Sequence, residues 1–271
     1  MDLLKALFLG ILQGATEFLP ISSSGHLVLV PWWLGWDESP LSFDVVLHLG
    51  TLVAVLIYFW RDWLTLLRAG LLALRNRTFQ DPDARLLLLL IVGTIPAALA
   101  GALLEGLFES AFSEPSLVAA FLLVTALLLV FSERAYAADR TLDDLTTRDA
   151  LIIGLAQACA IFPGISRSGS TIATGIWRGL PRPVAARFSF LLATPIIVGA
   201  GAKQLLDIIT GSETVGQDMV APLIVGFLAA AVVGFLCIWV LLRLLERRRL
   251  YGFAAYCAAF GILSLLVALF S

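Results

Sequence analysis

The chain has little charge, little cysteine and little histidine. Only 14% of its 271 residues are charged, whereas 60% are hydrophobic, which excludes a soluble domain and indicates an integral membrane protein. The formal net charge of -2 gives no reason to expect a nucleic-acid partner. The three cysteines, Cys159, Cys237 and Cys257, are scattered through apolar segments. This placement predicts buried thiols rather than disulfides or a metal cluster.

Six stretches are apolar over the length of about 20 residues that a bilayer-crossing helix needs. They are 43–60, 86–105, 116–133, 187–209, 221–242 and 250–270. The connections 61–85, 134–149 and 243–249 contain arginines and are expected in the cytoplasm by the positive-inside rule. The connections 106–115 and 210–220 contain the acids expected outside, Glu109, Glu114, Glu213 and Asp218.

Two further regions, 1–42 and 149–186, are apolar but interrupted by proline and glycine. Each is predicted to enter and leave on one side of the membrane as a re-entrant helix–loop–helix, with its irregular backbone lining a polar cavity. Since they would enter from opposite sides, the two halves would have opposite topology. We therefore predict an all-α polytopic membrane protein with one integral membrane domain, 1–271. It would comprise an inverted repeat of about 1–133 and about 149–271, with six full spans, two re-entrant regions and about ten helical segments.

These two regions carry the same polar motif, offset by 144 positions (157 − 13). The first copy reads Gln13-Gly-Ala-Thr-Glu17-Phe-Leu-Pro-Ile-Ser22-Ser-Ser-Gly25-His26. The second reads Gln157-Ala-Cys-Ala-Ile161-Phe-Pro-Gly-Ile-Ser166-Arg-Ser-Gly169-Ser170. Copy one contains an acid and an imidazole, whereas copy two contains the guanidinium of Arg167. Polar groups inside a membrane are costly. The pair therefore indicates one composite site for a metal-bound phosphate.

Gln13 and Glu17 are four residues apart, which places both oxygen-bearing side chains on one helix face. Hard divalent cations such as Mg²⁺ favour a carboxylate and a neutral oxygen, with water and phosphate completing the shell. The alternative is a polar pair that bonds across a helix interface.

Ser22, Ser23 and Ser24 precede Gly25 where a new helix is expected to begin. Amides and hydroxyls at a helix N-terminus bind phosphate, and a serine becomes a nucleophile when a base such as His26 lies near it. Four such residues alone are only a capping or turn signal.

Ser166, Arg167, Ser168 and Gly169 repeat the arrangement and add a guanidinium that can hold two phosphate oxygens. Arg167 could instead extend toward the interface or pair with a carboxylate.

Other polar or aromatic residues have simpler explanations. Asp44 and His48 share a face of the first span and either line the cavity or bond to neighbouring helices, with His48 expected to be structural. The remaining residues are expected at the interface: Lys203, Glu105 and Glu133 near helix ends, and Trp32, Trp33 and Trp36 as an aromatic belt.

Three segments together resemble a known family. They are the first motif, then Pro163-Gly-Ile-Ser-Arg-Ser-Gly-Ser-Thr171, and Phe43-Asp-Val-Val-Leu-His-Leu-Gly-Thr-Leu. They are similar to the bacitracin-resistance family of undecaprenyl-diphosphate phosphatases, and the resemblance covers the chain in length and helix layout. The family fills the position of Gln13 with Glu or Gln.

The resemblance implies a hydrolase in the bacterial cytoplasmic (inner) membrane. Such enzymes cleave the diphosphate of the C55 polyprenyl carrier, release phosphate and regenerate the monophosphate lipid for peptidoglycan synthesis. Extra enzyme confers bacitracin resistance. The family needs a divalent metal, usually Mg²⁺ or Ca²⁺, and its active site opens to the outer, periplasmic face.

The resemblance also implies residue roles. Gln13 and Glu17 would bind metal or serve acid–base catalysis. Ser23 would be the nucleophile, with His26 as its base or as the nucleophile itself. An activated water could attack in place of Ser23. The diphosphate would be held by Ser22, Ser24, Gly25, Ser166, Arg167, Ser168, Gly169 and Thr171.

A transporter that flips polyprenyl phosphate is the alternative, because inverted repeats with broken helices are typical of secondary transporters. A structural scaffold would not explain the duplicated polar motif. Another membrane phosphatase design needs a histidine after Ser166-Arg167, and the two histidines, His26 and His48, both precede it. Expected partners are the lipid substrate and membrane lipids, with no nucleic acid and with a homodimer left open.

Overall fold

The computed structural model describes residues 1–37, 39–210 and 216–270. Within these residues all regular structure is helical, in twelve α-helices and two short 3-10 turns, Leu142–Asp144 and Gln217–Met219. The helices are α1 Leu3–Phe18, α2 Ser23–Trp33, α3 Leu41–Tyr58, α4 Trp60–Asn76, α5 Pro82–Leu103, α6 Glu105–Phe112, α7 Pro115–Arg134, α8 Thr147–Cys159, α9 Arg167–Trp177, α10 Arg182–Ile209, α11 Val220–Leu245 and α12 Tyr251–Phe270.

Six of the described helices, α3, α5, α7, α10, α11 and α12, are long and apolar enough to cross a membrane. They correspond to the six predicted spans, so the prediction of an all-α polytopic membrane protein is confirmed. The regions that contain the motifs form two helix pairs, α1–α2 and α8–α9, of 16 and 11 residues and of 13 and 11 residues. Each of these helices is shorter than the roughly 20 residues that a single crossing takes.

The prediction of about ten helical segments was too low, because α4 and α6 lie in segments assigned to connections. Helix α4 buries Leu66, Gly70 and Ala73, while Leu64 and Leu71 are exposed beside its arginines. Such a helix is suited to the membrane surface. The arginine count alone could not distinguish it from a loop.

The helices pack in matching pairs. Helix α1 packs on α11 as α8 packs on α5, and α3 packs on α11 as α10 packs on α5. A Cβ at Gly10 would lie 2.5 Å from the carbonyl oxygen of Gly226, and one at Gly154 would lie 2.2 Å from that of Gly93. Gly10 and Gly154 are themselves related by the offset of 144. These contacts agree with a duplicated unit, while the opposite topology of the halves stays a prediction.

Two buried acids join helix ends at the arginine-rich side. Asp149 accepts hydrogen bonds from Arg140, Thr146 and Arg178, at 2.8, 2.7 and 2.5 Å. Burial favours the neutral acid, yet these hydrogen bonds hold the pKa of Asp149 well below its usual range.

The other buried acid corrects an expectation. Glu133 was expected at the interface, but it is 7% exposed and accepts both a bidentate pair from Arg182 and the backbone N–H of Leu250. Burial of this carboxylate is tolerated because every oxygen has a partner. The side chains of Glu109 and Glu213, two of the acids expected outside, lie outside the described residues.

Candidate active site

Helix α1 ends at Phe18, two residues before Pro20. The residue before a proline is disfavoured in the helical region, and Leu19 is extended, with φ -64° and ψ 140°. The chain then turns through Ser22, whose φ is +70°, and starts α2 at Ser23. This turn places the serines of the first motif beside the last turn of α1.

The two serine motifs form the same cap. The Oγ of Ser22 accepts the N–H of Gly25 at 3.2 Å, and that of Ser166 accepts the N–H of Gly169 at 3.0 Å. In both copies this Oγ lies 3.3 or 3.2 Å from the Oγ of the serine two residues later. The two glycine amides are therefore used in capping, and the first-turn amides before them have no partner inside their helix.

Glu17 joins the two copies. Its Oε1 accepts a hydrogen bond from Nη2 of Arg167 at 2.5 Å, across 150 positions of sequence. Its Oε2 accepts from Oγ of Ser23 at 2.5 Å and from Nε2 of Gln13 at 2.9 Å. The acid of copy one and the guanidinium of copy two thus lie in one site, and Nη1 of Arg167 is buried without a described hydrogen-bond partner.

The expected pairing of Ser23 with His26 as its base is not the arrangement found. Nδ1 of His26 lies 2.7 Å from the carbonyl oxygen of Ser22, and Nε2 lies 2.8 Å from the hydroxyl of Tyr256. Both ring nitrogens are engaged away from the hydroxyl of Ser23. The group placed to receive its proton is the carboxylate of Glu17.

Two polar residues of α3 belong to the site, one of which had been expected to be structural. Nε2 of His48 lies 3.6 Å from Oε2 of Glu17, and its Nδ1 lies 2.8 Å from the carbonyl oxygen of Asp44. Oδ1 of Asp44 is buried without a described partner. The available signal was their spacing of four residues inside an apolar span, which alone could not exclude bonding between helices.

The residues of the second motif do not all face the cavity. Ser166 and Arg167 line the cavity, whereas the hydroxyl of Ser168 donates to the carbonyl oxygen of Leu19 at 3.0 Å. The hydroxyl of Thr171 lies 2.6 Å from that of Ser189 and is 2.8 Å from the carbonyl oxygen of Arg167. Ser168 and Thr171, each 1% exposed, thus hold helices together at the back of the site.

The site opens into a cavity of about 850 Å³. Its polar end contains Glu17, Ser22, Ser23, Ser24, Asp44, His48, Ser166 and Arg167. Most other lining residues are apolar and include Leu27, Val45, Phe108, Ile161 and Ile197. Trp32 and Trp36, expected only as interfacial anchors, also line it, and Trp33 packs on Phe260 with ring centroids 4.9 Å apart. A charged end and apolar walls suit an amphiphile with an anionic head.

The cysteines are free, as expected, but only Cys257 is buried, and Cys159 is exposed at the end of α8. The prediction that all three thiols are buried is therefore wrong, because Cys159 is the last residue of α8 and Cys237 is only partly buried on α11.

The oxygen atoms of Gln13 and Glu17 suit a divalent cation that binds together with a phosphate ligand. Among the residues that the structure describes, no three His, Cys, Asp or Glu side chains form a group that could hold a metal. Gln13, however, has a buried Oε1 without a described partner, beside the carboxylate of Glu17. These two residues could hold a hard cation if phosphate oxygens supplied further ligands.

The fold and the site define a class: a polytopic α-helical membrane protein with a buried acid–guanidinium–serine centre between two helix–loop–helix pairs. The sequence model described as bacitracin resistance protein BacA matches residues 6–263. The chain belongs to this family.

Several relatives align over nearly the whole chain, and each is named undecaprenyl-diphosphatase. The protein of Desulforudis audaxviator is 45% identical over 99% of both chains. That of Methanosphaera stadtmanae is 43% identical and that of Geotalea daltonii 45% identical, each over 98% of both chains.

Proposed function

We propose that this protein hydrolyses undecaprenyl diphosphate to undecaprenyl phosphate and inorganic phosphate. Family membership and the relatives support the reaction. The observation that carries the proposal is the contact of Glu17 with Arg167 and Ser23 at the polar end of an apolar cavity. The diphosphate would occupy that end, with the prenyl chain along the apolar walls. Recycling of the carrier for peptidoglycan synthesis and bacitracin resistance follow from this activity.

Arg167 would bind the diphosphate. Its Nη1 is a buried donor that lacks a described partner, and a guanidinium can hold two phosphate oxygens. Because incoming phosphate oxygens compete with Glu17 for this guanidinium, binding would release part of the carboxylate from its ion pair. Ser22, Ser24 and Ser166 line the same end and would donate further hydrogen bonds.

Ser23 would attack the terminal phosphorus. Its Oγ–H already donates to Oε2 of Glu17, which would accept the proton as the Oγ–P bond forms. The bond from phosphorus to the bridging oxygen breaks, and undecaprenyl phosphate leaves. Water then cleaves the phosphoserine, and Glu17 returns the proton to Ser23. The same carboxylate could instead activate a water that attacks directly, and positioning and charge stabilisation would supply most of the rate in either case.

A divalent cation, Mg²⁺ or Ca²⁺, belongs to the proposal. Gln13 and Glu17 would hold it together with diphosphate oxygens, and it would neutralise charge on the transferring group. The buried, unpartnered Oε1 of Gln13 supports this assignment.

We further propose that the protein resides in the bacterial cytoplasmic (inner) membrane, with the cavity open to the periplasmic side. Its two halves, about 1–133 and about 149–271, would be repeats of opposite topology. The arginine-rich connections support this orientation, and the matching helix contacts support the repeats. Light scattering in detergent would test whether the protein forms a homodimer.

The test is phosphate release from C55 diphosphate by the purified protein in detergent, with and without EDTA. We expect metal-dependent release that both Glu17→Ala and Arg167→Ala abolish. No release by the folded wild type, with Mg²⁺ and with Ca²⁺, would contradict the enzyme and favour a lipid transporter.

A further inference from the structure

The ring of His26 is buried, and both of its nitrogens have hydrogen-bond partners. Since the carbonyl oxygen of Ser22 can only accept, Nδ1 carries the proton and donates to it at 2.7 Å. Nε2 of the neutral ring is then an acceptor, and the hydroxyl of Tyr256, 2.8 Å away, donates. His26 is 1% exposed, and its ring packs against the rings of Tyr256 and Phe260, at centroid distances of 5.6 and 4.8 Å. The Ser22 carbonyl thus sets the tautomer of the imidazole, and Tyr256 on α12 holds its orientation through Nε2.

The residue that receives this hydrogen bond has an unfavourable backbone conformation. Ser22 has a φ of +70°, a region that residues with a Cβ rarely adopt, and it immediately precedes Ser23. Such a conformation persists only where the surroundings impose it. Within the motif, Ser22 is held by the hydrogen bond from the His26 ring, by its cap of Gly25, by the Oγ of Ser24 and by the backbone N–H of His26.

The second motif shows the same cap without the imidazole. Ser166 has a φ of -68°, and its carbonyl oxygen accepts the backbone N–H of Ser170 at 2.8 Å. In copy one the corresponding backbone bond, from His26 to Ser22, is longer, at 3.2 Å. In copy one, where Ser22 has a positive φ, the backbone hydrogen bond to the Ser22 carbonyl is therefore the longer of the two. The imidazole N–H of His26 adds a second hydrogen bond to that carbonyl.

We propose that Tyr256 is a positioning residue that acts through His26, and that His26 holds the Ser22 backbone instead of accepting the proton of Ser23. The chain of contacts runs from the Tyr256 hydroxyl through the ring of His26 to the Ser22 carbonyl. It sets the first turn of α2, so that the hydroxyl of Ser23 lies 2.5 Å from Glu17. This inference rests on the proposed phosphatase activity and adds a residue of α12 to its site.

The first test compares His26→Asn with His26→Ala. An asparagine amide N–H can replace Nδ1–H as donor to the Ser22 carbonyl, but it cannot accept a proton as a base. We expect kcat of His26→Asn within about tenfold of wild type and kcat of His26→Ala lower by about 100-fold or more. Unchanged dependence of kcat on pH in His26→Asn is also expected, since no titrating group of the reaction has been removed.

The second test is Tyr256→Phe, which keeps the stacked ring and removes the donor to Nε2. We expect kcat to fall about 3- to 10-fold, with KM for C55 diphosphate unchanged, as for an interaction that affects the transition state alone. In the His26→Ala background the same change should have no further effect. Tyr251→Phe, on the same helix, serves as the control and should behave as wild type.

Two outcomes would overturn the proposal. One is folded His26→Asn as inactive as His26→Ala, which would make the imidazole itself catalytic. The other is wild-type kinetics for Tyr256→Phe. This result can be obtained even if neither His26 variant folds. Wild-type protein that releases no phosphate in the same assay would instead contradict the proposed function, so the two failures are distinguishable.

Discussion

At the residue scale, the Glu17 carboxylate sets the chemistry of the site. One oxygen pairs with Arg167, and the other accepts from Ser23 and Gln13. A buried carboxylate is costly without partners, and here each partner is also a group suited to phosphate transfer. The same contacts that stabilise Glu17 in the free protein are therefore available to be exchanged for contacts with a diphosphate.

Replacing the proposed nucleophile separates two modes of attack. Ser23→Ala should lower kcat by about 1,000-fold if Oγ forms the phosphoserine, because the remaining groups can only assist an attacking water. Phosphate release in detergent would measure it, with Ser264→Ala as control, since that hydroxyl bonds only within α12. Loss of less than about tenfold would assign the attack to water.

The sequence predicted which groups meet but not how each is used. The duplicated motif placed Glu17 and Arg167 in one site, and the structure shows them in contact. The partner of Ser23 could not be predicted, because it depends on the positive φ of Ser22, which is not encoded by any glycine or asparagine there. Thr171 likewise matched the motif, but its hydroxyl turns to Ser189 on a helix that no local pattern links to it.

At the scale of helices, close contacts of glycines hold the first helix of each helix–loop–helix pair, α1 and α8, against a long span. Gly10 and Gly14 of α1 face Gly226 and Ala230 of α11, at distances where no side chain fits. Small residues at such interfaces let membrane helices approach closely and pack well. The glycine positions therefore fix the helix that carries Glu17.

Gly10→Ala should lower the unfolding free energy by about 1–3 kcal/mol, because the new Cβ is forced toward backbone atoms of α11. Thermal unfolding in detergent would measure the change. Gly252→Ala is the matched control, since nothing lies within 4 Å of its Cβ position, and it should be neutral or slightly stabilising. Equal behaviour of the two variants would contradict the tight α1–α11 interface.

The Asp149 cluster should make stability depend on pH in one direction. Because its folded-state pKa is lowered, the stabilisation is complete above the ordinary aspartate value of about 3.9 and is lost as pH falls through the folded-state pKa. Asp149→Asn should therefore cost about 3–5 kcal/mol at neutral pH, and less at lower pH.

Unfolding at pH 7 and at about pH 2 would test this effect, because the loss begins only below the ordinary aspartate pKa, with exposed Asp143→Asn as control. A cost for Asp149→Asn that grows toward low pH would contradict the assigned ion pairs.

Helix α4 shows what the charge pattern could not decide. The positive-inside count used its arginines to orient the spans, and a connection of that composition reads equally well as a loop. Leu66, Gly70 and Ala73 are buried on one face, and packing of α4 against α5 selects the helix, while other leucines between the arginines are exposed. Spans were predictable because about 20 apolar residues suffice to identify them, whereas surface helices depend on what they pack against.

At the scale of the whole molecule, two copies of one serine motif build one asymmetric centre. Each copy supplies a serine-capped helix, but the carboxylate comes from copy one and the guanidinium from copy two. Matching contacts of α1 with α11 and of α8 with α5 bring these helices together. The two copies thus supply matching helix caps, and the residues by which they differ supply the charged groups of the site.

The orientation can be tested with single cysteines in a background without Cys159, Cys237 and Cys257. In intact cells, a membrane-impermeant maleimide should label Ser113→Cys, between α6 and α7, and should leave Thr78→Cys, between α4 and α5, unlabelled. Both positions are exposed. Labelling of both after cell lysis is the control, and the reverse pattern in intact cells would contradict the periplasmic opening.

The most direct test of a single composite site is a double-mutant cycle on kcat with Glu17→Gln and Arg167→Gln. Each single change should lower kcat by about 100-fold or more, because each removes a charge that the transition state uses. If the two groups act as a unit, the double variant should be about as slow as the slower single variant. Losses that multiply, in folded protein, would mean that the two copies act independently and would contradict the composite site.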